Sequence, residues 1–198
     1  MTTGSNHFPT PIFQHEVPGF EAINEKLYGL VKRLQAEDPA GVRRSNYGGW
    51  HSSDKFDLRD RAEFADLKKI IMAEATVVTS GMGFEGLGMV LSQPWFVVSP
   101  AGGMNARHCH PRSFLSGAYY VKVPPGSSPL CFHDPRPVKL YATPSSPNFK
   151  ITPYTTETLN CTIREGLLVL FPAWLDHSVP PHQAEGERVV LSFNFAAM

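Results

Sequence analysis

The chain has 198 residues, 42% of them hydrophobic and 18% charged, with a formal net charge of zero, which suits one compact domain with a sizeable core and is too little for two full domains. The balanced charge offers no electrostatic footprint for nucleic acid or an anionic membrane surface, and no apolar run approaches the ~20 residues that span a bilayer. The expected partner is therefore a small-molecule or protein substrate, with a homodimer compatible with the same composition, and the expected location is cytoplasmic, because "MTTGSNHFPTPIF" lacks a charged segment followed by an apolar one.

In chain order, "TPIFQ" reads as a short strand. From Phe20 to Gln35 the residues Ile23, Leu27, Leu30, Val31 and Leu34 recur at helical spacing, with Glu25, Lys26, Lys32 and Arg33 mostly elsewhere, so an amphipathic helix is expected. "RSNYGGWHSS" is rich in turn formers. Asp60 with Glu63 then makes a D-x-x-E capping box ahead of Phe64, Leu67, Ile71, Ala75 and Val78, predicting a second helix to about Ser80 with Gly81 as its C-cap.

Beyond residue 86 short apolar runs alternate with Pro, Gly and Asn, and no helical period continues. Strands are expected over Leu87–Leu91, Trp95–Val98, Leu115–Val123, Leu130–Phe132, Val138–Tyr141, Thr158–Ile163, Leu167–Phe171 and Arg188–Phe195. "TPSSPNFKITPYTTETLN" is the expected mobile loop. The fold is thus expected to be mainly β: a jelly-roll barrel with two N-terminal helices packed on one outer face, since their apolar stripes need a sheet to cover. This makes residues 1–198 a single domain, with 1–85 a helical elaboration and 86–198 the core that carries the site. The three cysteines, Cys109, Cys131 and Cys161, show no C-x-x-C spacing and read as reduced thiols.

The chemistry concentrates at "NARHCHPRSFLSGAYYV". Side chains at i and i+2 of an extended chain share a face, so His108 and His110 converge while Cys109 points away. "GLLVLFP" is followed by "AWLDHSVPP", which puts His177 in the loop just beyond a strand; in a jelly roll the ends of facing strands meet at the barrel mouth, where His177 completes a facial set. Three imidazoles on one face of Fe(II), with open positions opposite, suit oxygen chemistry. On the last strand Arg188, Val190, Ser192 and Asn194 share one face, and Val189, Leu191, Phe193 and Phe195 the other. If the first face lines the barrel, Arg188 can bind a carboxylate bidentately, and a buried arginine without an anion would cost several kcal/mol.

The motifs "NARHCHP", "LSGAYYV", "DPR", "GLLVLFPAWLDHSVPP" and "RVVLSFN", together with "GGWHS", make the chain resemble the double-stranded β-helix (cupin-like) oxygenases that depend on Fe(II) and 2-oxoglutarate, and within them a bacterial and phage branch. The resemblance implies a dioxygenase with His108 and His177 as iron ligands, His110 at the position usually held by aspartate, and Arg188 on the distal carboxylate of 2-oxoglutarate. By likeness to the prolyl-hydroxylase group it also implies Tyr120 on that carboxylate. Ser192 shares the face of Arg188 and is expected beside the cosubstrate, and Asn105 is expected to reach it from its loop.

Imidazole in place of aspartate raises the site's charge and weakens electron donation to iron. Three functions therefore remain open: a 2-oxoglutarate-dependent hydroxylase, favoured by Arg188 with Ser192; a three-histidine cupin-type dioxygenase, favoured by His110; and a non-catalytic metal- or ligand-binding jelly roll. Among the remaining residues, Asp134 and Arg136 are expected to form a turn, His51 to be structural or to line the mouth, His133 and His182 to lie on the surface or in loops, and Trp174 and Tyr119 to pack. Asp134 and Asp176 are the alternative carboxylate ligands. The primary substrate is not written in any of these residues.

Overall fold

The computed structural model describes residues 3–136 and 150–198. The strand expected over 138–141 and the first part of the loop that begins at Thr143 lie outside the described residues. Within them the elements run β1 (Phe13–Glu16), α1 (Phe20–Glu37), β2 (Asn46–Tyr47), β3 (Trp50–His51), α2 (Ala65–Gly81), β4 (Met89–Leu91), β5 (Trp95–Ser99), β6 (Met104–His108), β7 (Leu115–Lys122), β8 (Leu130–His133), β9 (Thr158–Cys161), β10 (Leu167–Pro172), β11 (His177–Val179) and β12 (Arg188–Ala197). No helix among them is long and apolar enough to cross a membrane.

Two antiparallel sheets face each other. The larger runs β1-β10-β7-β12-β5-β3, with β4 also paired to β12, and the smaller runs β2-β6-β11-β8-β9. This is the double-stranded β-helix expected from the sequence, with both helices on the outer face of the larger sheet. That face presents Tyr119, Leu168, Leu170, Leu191, Phe193 and Phe195 to Leu27, Leu30, Val31, Leu67 and Ile71 of the helices. The inner face presents Ala118, Tyr120, Val169, Phe171 and Val190 to Leu130, Phe132 and Val179 of the smaller sheet. Being covered on both sides, β7 and β10 are buried almost throughout, so they read as continuous apolar runs instead of alternating ones.

Helix α1 buries the face its periodicity predicts, and adds Asn24 to it. Asn24 Oδ1 accepts the Tyr119 hydroxyl at 2.7 Å, and its amide donates to the Tyr120 carbonyl at 3.5 Å. The helix is thereby keyed to β7, the strand that leads from the first histidine pair. Beside it Gly166 (φ 76°), whose N–H donates to the same Tyr120 carbonyl at 2.9 Å, turns the chain into β10, and a side chain there would overlap Phe20 at the start of α1.

The capping box expected at Asp60 and Glu63 does not form. Helix α2 is entered through a 3-10 turn, Ala62–Phe64, with no side-chain cap. Glu63 instead pairs with Arg33 of α1 and Asp60 faces Lys68 at 3.7 Å; the cation on the neighbouring helix competes successfully with the local amides. Gly81 is the last helical residue, and Met82 caps the end.

Gly117 of β7 lies opposite Phe193 of β12. The Phe193 ring covers the glycine, so an added methyl would overlap that ring and stand 2.9 Å from Leu170 Cδ2. Gly117→Ala is expected to cost about 1–3 kcal/mol by overpacking. Thermal melting checks this; an unchanged Tm would mean that Phe193 can move without loss.

Candidate metal centre

Strands β6 and β11 pair antiparallel with His108 directly opposite His177. His110 lies two residues beyond the end of β6, where its backbone N–H donates to the Ala173 carbonyl at 2.8 Å. The turn "AWLD" between β10 and β11 therefore does two jobs: it fixes His110 and carries the chain across to the other sheet to deliver His177. His177 is thus the first residue of a strand and not a loop residue, as its position after "GLLVLFP" suggested. Ring centroids stand 4.3 Å apart for His108 and His177 and 5.1 Å for each pair with His110. The candidate ligand nitrogens all lie within 4.8 Å of one another.

Hydrogen bonds select the tautomers. His108 Nδ1 donates to the Ala106 carbonyl at 2.7 Å and His177 Nδ1 to the Leu175 carbonyl at 3.0 Å, which leaves each Nε2 as the unprotonated nitrogen that a metal requires. The Ser45 hydroxyl stands 3.2 Å from His108 Nε2 and accepts from Asn105 Nδ2 at 3.2 Å. Asn105 is thus tied to the first histidine through Ser45. Burial lowers all three histidine pKa values: His110 to about 4, with the His108 ring adding to the effect; His177 to about 3, with the same neighbour; and His108 in the same direction. Neutral imidazoles with one lone pair each are the form a divalent ion requires, so the donor set fits such an ion.

The same shifts set a pH dependence for the metal-free protein. Unfolded histidine titrates near pH ~6.5, while the folded groups stay neutral to well below that, so below that pH the unfolded chain binds protons that the folded chain refuses. Stability is then complete above pH ~6.5 and falls progressively as the pH drops toward 4. His51, His133 and His182 are lowered too and add in the same direction. Melting curves between pH 7.5 and 4.5 should show Tm declining by several degrees across this window; a flat profile would contradict it.

The triad opens on a cavity of 730 Å³ between the sheets, which Arg188, Val190, Ser192 and Asn194 of β12 all line. Periodicity alone had put these four on one face. Arg188 is 1% exposed. Its two terminal nitrogens reach only neutral groups, the Ser128 carbonyl and Ser99 Oγ, each at 3.3 Å, and its Nε has no partner among the described residues. A guanidinium so buried and so weakly satisfied calls for an anion. Tyr120, fully buried, pairs with Val190 one rung away; burial raises its pKa well beyond the usual phenol range, so it is a hydroxyl donor.

Ser192 stands four residues along an extended strand from Arg188, ~13 Å between the two backbones, and the guanidinium turns sideways to Ser99 on β5. A shared face is therefore not a shared contact.

The remaining candidates separate clearly. Asp176 pairs with Arg107 at 2.8 Å and Asp134 with Arg136 at 2.8 Å, outside the histidine cluster; the turn reading of Asp134 is the one the hydrogen bonds to Arg136 support. Tyr119 packs as expected. Trp174 does not, being 54% exposed, because its turn faces outward. His182, in a loop, is 2% exposed and no surface residue; burial and the nearby Arg188 charge lower its pKa. His133 is half-buried against Ser178 at 2.9 Å. His51 both packs and lines the cavity, stacked on Trp95 at 5.9 Å; Trp95 in turn leans on His110 at 5.7 Å. Trp95, Ser45 and Gln93 went unnoticed in the sequence, where an aromatic at the start of a short strand reads only as core.

Residues 93–194, just over half the chain, match the sequence profile of the 2OG-Fe(II) oxygenase family. No curated protein matches the chain. Among solved structures it is similar to a Pseudomonas putida prolyl-4-hydroxylase, at 18% identity and TM-score 0.66 over 96% of this chain and 94% of that one. It is also similar to a Trichoplax adhaerens prolyl hydroxylase solved with a hypoxia inducible factor peptide fragment (12% identity, TM-score 0.65, 93% and 83% covered). A third is HygX from Streptomyces hygroscopicus, solved with nickel and 2-oxoglutarate (15% identity, TM-score 0.62, 94% and 82% covered). At these identities the likeness establishes the fold.

Proposed function

The chain belongs to the 2OG-Fe(II) oxygenase family, and on that premise we propose that it is a hydroxylase acting in the cytoplasm as a single domain, with His108, His110 and His177 holding the iron through Nε2 and Arg188 with Tyr120 holding 2-oxoglutarate. The observation that carries this reading is the pairing, in one cavity, of a three-imidazole cluster with a buried guanidinium whose hydrogen-bond partners among the described residues are all neutral. When bound, iron and 2-oxoglutarate together supply oxygen activation coupled to oxidative decarboxylation of the keto acid.

The chain's own residues do the rest. The carbonyls of Ala106 and Leu175 keep two imidazoles in the ligating tautomer. Arg188 and the Tyr120 hydroxyl give the distal carboxylate a charge-assisted fork and a neutral donor in a dry environment, where such contacts are strong. Val190, Leu130 and Val179 line the intervening wall and exclude water from it. Three neutral donors would leave a ferrous ion with two positive charges where an aspartate would have left one; the keto-acid end of 2-oxoglutarate would supply one negative charge there, and its distal carboxylate answers Arg188.

A three-histidine dioxygenase, in which the substrate itself chelates the metal, is the second reading, and His110 is the residue that favours it. Iron-loaded, oxygen-free protein titrated calorimetrically with 2-oxoglutarate separates the two. Binding at micromolar to submillimolar concentration, with succinate released on admission of oxygen, supports the hydroxylase; no binding at millimolar concentration would remove it and leave the second reading.

A further inference from the structure

We infer that the outer half of the cavity, built by Ser192, Asn194, Gln93 and Trp95, is a subsite for an uncharged amide: the primary substrate presents a carbonyl and an N–H beside its reacting carbon, as a peptide bond does. This rests on the function proposed above and names the substrate class of the same site.

The inner face of β12 changes character along its length. Arg188 and Val190 are buried, Ser192 and Asn194 half-buried, so the strand leads from a sealed cationic end to an accessible polar one. At that end the chain closes tightly. The Ser92 N–H donates to the Asn194 carbonyl at 2.8 Å, which seats Gln93 beside β12, and Trp95 pairs with Ser192 across β5. Trp95 also touches His110, so this end adjoins the histidine cluster.

Two side-chain amides there are oriented by the protein. Asn194 Oδ1 accepts the hydroxyl of buried Ser116 at 2.7 Å, which fixes the flip of the amide and leaves Nδ2 as a donor with no partner among the described residues. Gln93 is held the opposite way: its Nε2 donates to the carbonyls of Asp54 and Phe56, each at 2.8 Å, leaving Oε1 as an acceptor. A fixed donor and a fixed acceptor on one wall match a carbonyl and an N–H on one ligand. Ala118, the partner of Ser192 on the neighbouring strand β7, keeps the adjoining floor shallow, and Trp95 offers an apolar plane for the rest of the ligand.

Charge complements this. Among the described residues, the charged ones lining the outer cavity are Arg44, Asp54 and Arg107. Arg44 is paired with Asp54 and Arg107 with Asp176, both at 2.8 Å, so none of these charges stands uncompensated to attract an ionic group, and Arg188 at the far end is reserved for the cosubstrate.

The test uses iron-loaded, oxygen-free protein with saturating 2-oxoglutarate, probed by calorimetry and saturation-transfer NMR. The probes are blocked amino-acid amides, N-acetylated and N-methylamidated, set against the free acid and free amine of the same skeletons. The blocked amides should bind at least about tenfold more tightly than either charged analogue. Asn194→Asp keeps the acceptor for Ser116 but replaces the donor by an anion; it should lose about tenfold in amide binding, the scale of one hydrogen bond turned repulsive, and narrow the gap to the amine. Ser192→Val, compatible with a strand, gives a second reading if the aspartate variant does not fold, with an expected loss of a few-fold. Charged analogues that bind as well as the amides, or amide affinity unchanged in both variants, would overturn the inference. If wild-type protein fails to take up 2-oxoglutarate at all, the fault lies with the proposed function instead; uptake of 2-oxoglutarate without amide selectivity removes the subsite alone.

Discussion

Arg188→Ala is expected to weaken 2-oxoglutarate binding by at least about tenfold to a hundredfold while leaving iron content unchanged. The guanidinium is almost fully buried, and its protein contacts are two long bonds to neutral oxygens, so its charge has no other compensation among them. A charge-assisted bidentate contact is worth roughly 1.5–3 kcal/mol, and deleting the cation leaves the carboxylate in an apolar enclosure. Arg188→Lys should recover only part of the affinity: the charge survives, but an ammonium cannot present the planar fork. His108 and His177 lie on the other sheet and His110 just beyond the end of β6, so metal analysis should return wild-type iron for both variants. Calorimetry of the iron-loaded, oxygen-free protein reads the affinity, and wild-type binding by Arg188→Ala would refute the assignment.

His177→Ala should abolish stoichiometric iron. The three candidate nitrogens lie within 4.8 Å of one another, with no fourth group in the cluster among the described residues, so losing one leaves two donors. The affinity should fall by more than the roughly 10- to 100-fold typical of losing an outer-shell partner. Asp176→Asn should keep its iron, since that carboxylate is engaged with Arg107. His110→Asp should keep it as well, because a carboxylate also ligates Fe(II) and the backbone anchor to Ala173 is unaffected. Full iron in His177→Ala after anaerobic purification would show that the metal is held elsewhere.

Where side-chain periodicity was long, the fold was legible. Five apolar residues at helical spacing identify the buried face of α1, and alternation along β12 separates Arg188, Ser192 and Asn194 from Leu191 and Phe193 without any knowledge of the partner strands. Where the element is short or polar the signal disappears. Strand β6 reads "MNARH" and β11 only "HSV", too brief and too polar for a period to register, yet these two carry His108 and His177. Residue type and the spacing of the H-x-H pair point to the three histidines that cluster, while the strand that presents His177 leaves no such mark. Register is a second blind spot. That Ser192 shares the face of Arg188 is written in the sequence; that the guanidinium turns to Ser99 and leaves Ser192 with the outer cavity is a property of cross-strand pairing. The burial of His182 and the exposure of Trp174 likewise follow from loops whose course has no local code.

The placement of β12 between β5 and β7 also bears on how the chain reaches this structure. Arg188 bonds Ser99 across 89 residues and Asn194 bonds Ser116 across 78, so the central strand of the larger sheet is supplied by a segment made well after both of its neighbours. Until residues 188–197 insert, β5 and β7 present unpaired backbone edges lined with Phe96, Val98, Tyr119 and Val121, which invite pairing with another molecule. Ring closures of this length put the chain among slow β-rich folders, on the scale of milliseconds to seconds. Arg188 arrives on that same late strand, so on the function proposed above an emerging chain would gather its three histidines before it could bind 2-oxoglutarate.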